Sequence, residues 1–227
     1  MHFIEILQYR KTEMEGRWCV VPNPGGERCV AILPANRGRV RLLDENGAEL
    51  ELEPIRAKLQ EINDTRNIVQ SLVLEGQLVG FFEDRINDRT LQLALSGDKV
   101  GVQRTKFLAF DLTSEVDRQN PKVSYRNRWT AAQNLVTESL RDTPGTISRL
   151  GMVDMFECDN PTQEQIWRHC DWFAQKGYRG AMYRRALEPV VAGSWVEVAP
   201  LISVADVIGA RSGSGKMINS LGVLLCQ

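Results

Sequence analysis

The sequence predicts an α+β fold in which runs of antiparallel strands are interrupted by inserted helices. Three observations lead there. Apolar residues alternate with polar ones in clustered short runs such as WCVV, RCVAIL and GRVRLL. Turn chemistry at Pro22–Gly26 and Asn46–Gly47 separates those runs at hairpin distances. Helical spacing occurs in a few long stretches between groups of strands, not once after every strand, which argues against a βαβ parallel sheet.

In chain order, Arg17 to Leu52 reads as an antiparallel meander of WCVV, RCVAIL, GRVRLL and AELELE. Pro54 suits the first turn of a helix, and Ile55, Leu59, Ile62, Ile68, Val69 and Leu72 continue it at roughly helical spacing. A second group of strands follows in SLVLEGQLVGFF, RTLQLALSG and KFLAFDLT. After the polar stretch Ser114–Ser124, Tyr125–Leu140 reads as a helix and Val153–Glu157 as a short strand. Pro161 opens a helix through QEQIWRHCDWFAQK, Gly177 ends it, and GAMYRR is the next strand. The last segment, from Ser194 to Cys226, alternates like strands around a glycine-rich turn.

At 227 residues the chain holds one large domain with a full core, or one domain and a fragment of a second. No apolar run approaches the ~18 residues of a membrane span, so no membrane partner is expected. Glu5 interrupts the apolar N-terminal segment and no small-residue cleavage site follows, so a signal peptide is not expected. Five cysteines without a CxxC pair, and only two histidines, argue against a zinc site. Their odd number fits a reducing compartment, so a cytoplasmic location is expected. A formal charge of -1 gives no overall attraction to nucleic acid, and any such surface needs local clustering of cations.

The segment GARSGSGKM has the look of a phosphate loop but the wrong spacing. Ala210 stands where the first glycine is required and Met217 where Ser or Thr should follow Lys216, so a hairpin turn is the better reading.

A set of short segments carries more information through its order. Asn23-Pro24-Gly25-Gly26-Glu27-Arg28 precedes a strand, Asp44-Glu45-Asn46-Gly47 forms a turn, and Leu74-Glu75-Gly76-Gln77-Leu78 lies within a strand. Ala109-Phe110-Asp111-Leu112 and Gly177-Tyr178-Arg179-Gly180-Ala181-Met182-Tyr183-Arg184 follow. In order and glycine framework this series resembles the covalent nucleotidyltransferases, ATP-dependent DNA ligases in particular. Their motifs are Lys-x-Asp-Gly-x-Arg, Ser-Arg-x-Gly, Leu-Asp-Gly-Glu-Leu, an aromatic-acidic segment, Gly-Tyr-Glu-Gly-(apolar)-Met-x-Arg and Lys-x-Lys. The resemblance implies a ligase-type nucleotidyltransferase domain over residues 1–195 and the truncated start of an oligonucleotide-binding (OB-like) β segment over 196–227.

It also implies that the chemistry is gone. Asn23 replaces the lysine nucleophile, Gly25 the aspartate, Gln77 the strand glutamate and Arg179 the metal-side glutamate. Glu197 falls in the Lys-x-Lys region. An amide nitrogen has a delocalised lone pair and cannot form a phosphoramidate, and a guanidinium cannot ligate a metal ion. No catalytic residues, no metal and no cofactor are therefore expected; ATP and Mg would be needed only by a divergent active enzyme.

The candidates for binding a nucleotide or nucleic acid are Arg28, Phe110, Arg179, Arg184 and Arg185. The resemblance implies base stacking for Phe110, which reads equally well as a core residue. Arg126, Arg128, Lys176, Arg179, Arg184 and Arg185 could form a basic patch, against the alternative of a solvated charged face. Three functions are compatible with this pattern. A non-catalytic ligase relative would bind DNA or a nucleotide through the old cleft. An interaction or decoy protein, for instance a phage-encoded one, would use the scaffold to engage a protein partner. A divergent ligase would have relocated its nucleophile.

Overall fold

The computed structural model of the chain describes residues 14–66, 68–83, 85–114, 123–139, 148–187 and 195–200, and the backbone of 6–8, 207–212 and 221–226. Two mixed sheets face each other. The first has the order β1 (Ile6–Gln8), β11 (Trp195–Val198), β10 (Ala181–Arg185), β2 (Arg17–Pro22) and β9 (Phe156–Asp159). The second runs β4 (Arg41–Asp44), β3 (Glu27–Leu33), β5 (Leu72–Phe82), β7 (Thr105–Ser114) and β8 (Leu150–Met152), with the short β6 (Arg85–Ile86) on β5. Among the described residues only the β1·β11 and β7·β8 pairs are parallel, as the inserted helices led one to expect. A separate hairpin joins β12 (Val207–Ser212) to β13 (Leu221–Cys226), and its glycine-rich turn at 213–220 lies outside the described residues.

The period-two pattern of β2 divides the core. Trp18 and Val20 face outward onto Ile166, Cys170 and Phe173 of helix α5 (Gln163–Gln175). Cys19 and Val21 face inward with Met182 and Trp195 onto Phe110, Tyr125, Trp129 and Val153. On the far side of the second sheet, Cys29, Ala31, Leu74, Leu78 and Phe107 pack in one cluster with three helices. These are α1 (Glu53–Thr65), α2 (Asp88–Leu95) and α4 (Tyr125–Ser139); a short α3 (Lys99–Gln103) leads into β7. The strand β11 is hydrogen-bonded into the first sheet, so that sheet runs past residue 195, the expected domain boundary, to Val198.

Several elements differ from their sequence reading. RTLQLALSG alternates like a strand yet is helix α2. Asn87 caps it, accepting from the Thr90 amide at 2.9 Å, and Leu91 and Ala94 are buried while Leu93 is exposed. Helix α1 ends at Thr65, with Arg66 in extended conformation, and Ile68 reaches the core from a loop. AELELE makes a single bridge, Leu43↔Glu49, because the chain must turn there to start α1. The short strand expected at 153–157 is two, Leu150–Met152 and Phe156–Asp159.

Candidate functional site

Where β2 ends at Pro22, the chain leaves the first sheet and crosses to β3 of the second through Asn23–Gly26. Two backbone hydrogen bonds fasten the crossing to the turn before β10: the Asn23 amide donates to the Gly180 carbonyl at 2.9 Å and the Arg179 amide to the Asn23 carbonyl at 2.8 Å. Gly25 takes a left-handed φ of +71°, open to glycine at little cost, and its amide donates to Asn23 Oδ1 at 2.9 Å. Gly26 must be glycine for space, since a Cβ there would lie 1.8 Å from the Leu78 carbonyl oxygen.

The Asn23 side chain is buried at the centre of a polar network. Its Nδ2 donates to Glu197 Oε1. Its Oδ1 also accepts a long contact from Gln77 Nε2 at 3.5 Å, and Gln77 Oε1 accepts from the Gly26 amide at 3.3 Å. Residues 23, 77, 179 and 197, far apart in sequence, thus meet at one loop. The group at its centre is a neutral amide held by a carboxylate and a second amide.

Next to it, Arg28 Nη2 donates to Glu75 Oε1, with both side chains largely buried. Burial pushes the Glu75 carboxyl up from its usual range, and the Arg28 guanidinium pulls it back. Arg28 is thereby engaged with a protein carboxylate. Arg179 lies across Gly25, and its guanidinium pairs with Asp88 of α2 at 2.6 Å.

Phe110 sits in the core. It is the residue skipped where the β5·β7 register shifts between Glu75 and Gly76, and its ring meets Trp195 edge-on at 5.4 Å. Its carbonyl accepts from the Tyr125 hydroxyl at 2.8 Å.

The surface basic patch considered from the sequence does not form as written. Arg184 and Arg185 are neighbours on β10 and so point to opposite faces. Arg184 is fully buried and donates to Asp111 Oδ2 at 2.9 Å, while Arg128 holds the same carboxylate at 2.9 and 3.1 Å. Arg185 is exposed and stacks 5.1 Å over Trp18, and Arg126 pairs with Glu157 at 2.9 Å. The shared carboxylate of Asp111 joins β7, β10 and α4, and so ties the two sheets together. One sequence signal marked it: a lone acid in the apolar run AFDL.

A cleft of about 550 Å³ lies between β5–β8 of the second sheet and the segment Ala174–Tyr178 that leads into Arg179, walled in part by Leu108, the cross-strand neighbour of Gln77.

The chain matches no family model and no curated protein sequence. Solved structures do match. A structure named Pmar-Lig_Pre aligns over 99% of this chain at 18% identity with a TM-score of 0.70. The ATP-dependent DNA ligase from bacteriophage T7, in complex with ATP, aligns over 98% at 10% identity and a TM-score of 0.64, and the Chlorella virus DNA ligase-adenylate over 100% at 14% and 0.61. This chain has the nucleotidyltransferase fold of ATP-dependent DNA ligases. It spans 53% of the first of these structures, 79% of the phage ligase and 84% of the viral one.

Ligase chemistry as the sequence resemblance describes it needs an amine nucleophile and carboxylates for a divalent metal, and the residues here do not fit either. At the position that the sequence resemblance assigns to the nucleophile the group is Asn23, bound to Glu197. The two carboxylate positions are Gln77 and Arg179, and no cluster of three His, Cys, Asp or Glu able to hold a metal occurs among the described residues. The nearest carboxylates, Glu75 and Glu197, are engaged by Arg28 and Asn23.

Proposed function

We propose that this protein is a catalytically inactive DNA-ligase-like protein that binds nucleic acid or a nucleotide without forming a covalent bond to it, through the cleft between its sheets. In this reading residues 1–195, extended by the end of β11, form the nucleotidyltransferase-like unit, and the remainder begins an OB-like segment. The observation that carries the proposal is the network centred on Asn23. An amide with hydrogen bonds to Glu197 and Gln77 stands where the resemblance calls for an attacking amine, and backbone hydrogen bonds hold the loop around it to the turn before β10. The adjoining cleft falls within the 300–1,000 Å³ typical of small-ligand sites.

The test is fluorescence anisotropy of labelled nicked, intact and single-stranded DNA, and of a labelled nucleotide, at two salt concentrations without added ATP. Salt-sensitive binding is expected. Absence of binding to every probe at low salt would refute the proposal and direct attention to a protein partner.

A further inference from the structure

The cleft walled by Leu108 and Tyr178 is lined by three cations, Arg85 from β6, Lys106 from β7 and Lys176 at the end of α5. No carboxylate lines it among the described residues. This contrasts with the adjoining site, where Arg28 is matched by Glu75, Arg179 by Asp88, and Arg128 and Arg184 share Asp111. None of the three cleft cations lies in a segment that resembles a ligase motif, and none has a carboxylate partner among the described residues.

Two of them are positioned by aromatic rings. The Lys106 ammonium lies 4.8 Å from the centre of the Phe81 ring, and that of Lys176 3.6 Å from the centre of the Trp172 ring. The remaining wall is apolar and aromatic, with Phe81, Leu108, Met152 and Tyr178 partly buried around it. Apolar and aromatic surface beside uncompensated cations is the combination that binds a base and its phosphates together. Outside the lining, the exposed Asp154 is close enough to Tyr178 to help burial raise its phenol above the ordinary value.

We propose that this cleft is a metal-independent site for a nucleotide phosphate and its base, with Arg85, Lys106 and Lys176 neutralising the phosphate charge. The inference rests on the reading of the protein as a noncovalent nucleotide or nucleic-acid binder, and it assigns the recognition to residues outside the ligase motifs. Without carboxylates to hold a divalent ion, the site binds the phosphate directly through its cations, and free magnesium competes with them for it.

The experiment is anisotropy titration of two probes, a fluorescent ATP analogue and a short single-stranded oligonucleotide, each in EDTA and in excess magnesium. The variants are Arg85→Gln, Lys106→Gln and Lys176→Gln, singly and combined, with thermal melts to verify folding; all three side chains reach solvent, so folding is expected to survive. Binding is expected in EDTA, unchanged or weakened by magnesium. The triple variant should lose at least about tenfold in affinity, the size of one charge-assisted hydrogen bond. For the oligonucleotide, each neutralised cation should reduce the log–log salt slope by roughly 0.7. Equal affinity for both probes identifies a free nucleotide as the ligand, and tighter oligonucleotide binding a strand. Magnesium-dependent binding, or full affinity in the folded triple variant, would overturn this site while leaving noncovalent binding elsewhere in the cleft intact. If the wild-type chain binds neither probe at low salt, both the site and the proposed function fall.

Discussion

Replacing Asp111 by alanine should be among the most damaging single changes outside the hydrophobic core. Its carboxylate is 1% exposed and accepts from Arg128 at 2.9 and 3.1 Å and from Arg184 at 2.9 Å. Both guanidiniums are themselves buried, at 1% and 0% exposure, so removing the acid leaves two cations facing each other in a low-dielectric interior. Breaking one buried ion pair by deleting a partner costs about 3–5 kcal/mol. With two cations stranded, a loss at or above the top of that range is expected, against a total stability of about 5–15 kcal/mol for an ordinary domain. The Tyr125 and Trp195 rings, 5.2 and 5.5 Å from the Arg184 guanidinium, soften the loss without replacing an anion. Urea denaturation read by tryptophan fluorescence measures it, and at an m-value of about 2 kcal/mol/M the midpoint should fall by about 2.5 M or more. Asp111→Asn keeps one acceptor and should fall between alanine and wild type. Asp171→Asn, on the exposed face of α5, should change stability by less than about 0.5 kcal/mol. A loss below about 1 kcal/mol for Asp111→Ala would refute the view that this carboxylate binds the two sheets together.

Three further outcomes follow from the site and its supports. Asn23→Lys should not restore nucleotide transfer, because the new ammonium would pair with Glu197 while Gln77 and Arg179 still supply no metal ligands; labelling with radioactive ATP should leave the variant unmarked. Gly25→Ala should destabilise the chain by more than Gly97→Ala. Both need a left-handed φ, costing about 1–2 kcal/mol in a non-glycine residue, but only at Gly25 would the Cβ also lie 2.1 Å from the Arg179 side chain, and paired thermal melts compare them. His169, hydrogen-bonded to Tyr183 at 2.7 Å, has its pKa lowered from 6.5 by burial, so the unfolded chain binds its proton more readily. That contribution to stability is complete above pH 6.5 and declines as pH falls through the window down to the folded pKa. Urea melts on either side of pH 6.5 should show His169→Gln with a flatter pH dependence than wild type.

The fold was legible in the sequence because its strands are bounded by residues with few alternatives. Pro22 through Gly26, the Asn46–Gly47 turn and Gly177 mark where the chain must change direction, and the order of short segments between them identified the architecture. Helix α2 was misread because Leu91, Leu93 and Leu95 alternate like a strand, and only the capping Asn87 signals the helix. The convergence of Asn23, Gln77, Arg179 and Glu197 was foreseeable through the ligase resemblance, whose motifs occupy these positions. Their pairing was not, since Asn23–Glu197 spans 174 residues and Arg179–Asp88 spans 91. The pairing of Asp111 with its two arginines was hidden for a related reason. Charged residues are ordinarily at the surface, and only the register of β10 and the packing of α4 show that Arg184 and Arg128 turn inward. Of the cleft cations only Lys176 was singled out in the sequence, and its grouping with Arg85 and Lys106 was not, because the three belong to separate elements.

The most direct test of the proposal that this ligase fold lacks ligase chemistry is the intact mass of the purified protein after incubation with ATP and magnesium. An unchanged mass is predicted, because the buried group at the nucleophile position is the Asn23 amide, bound to Glu197. A stoichiometric adenylyl adduct on any lysine would contradict it and show that the nucleophile has moved.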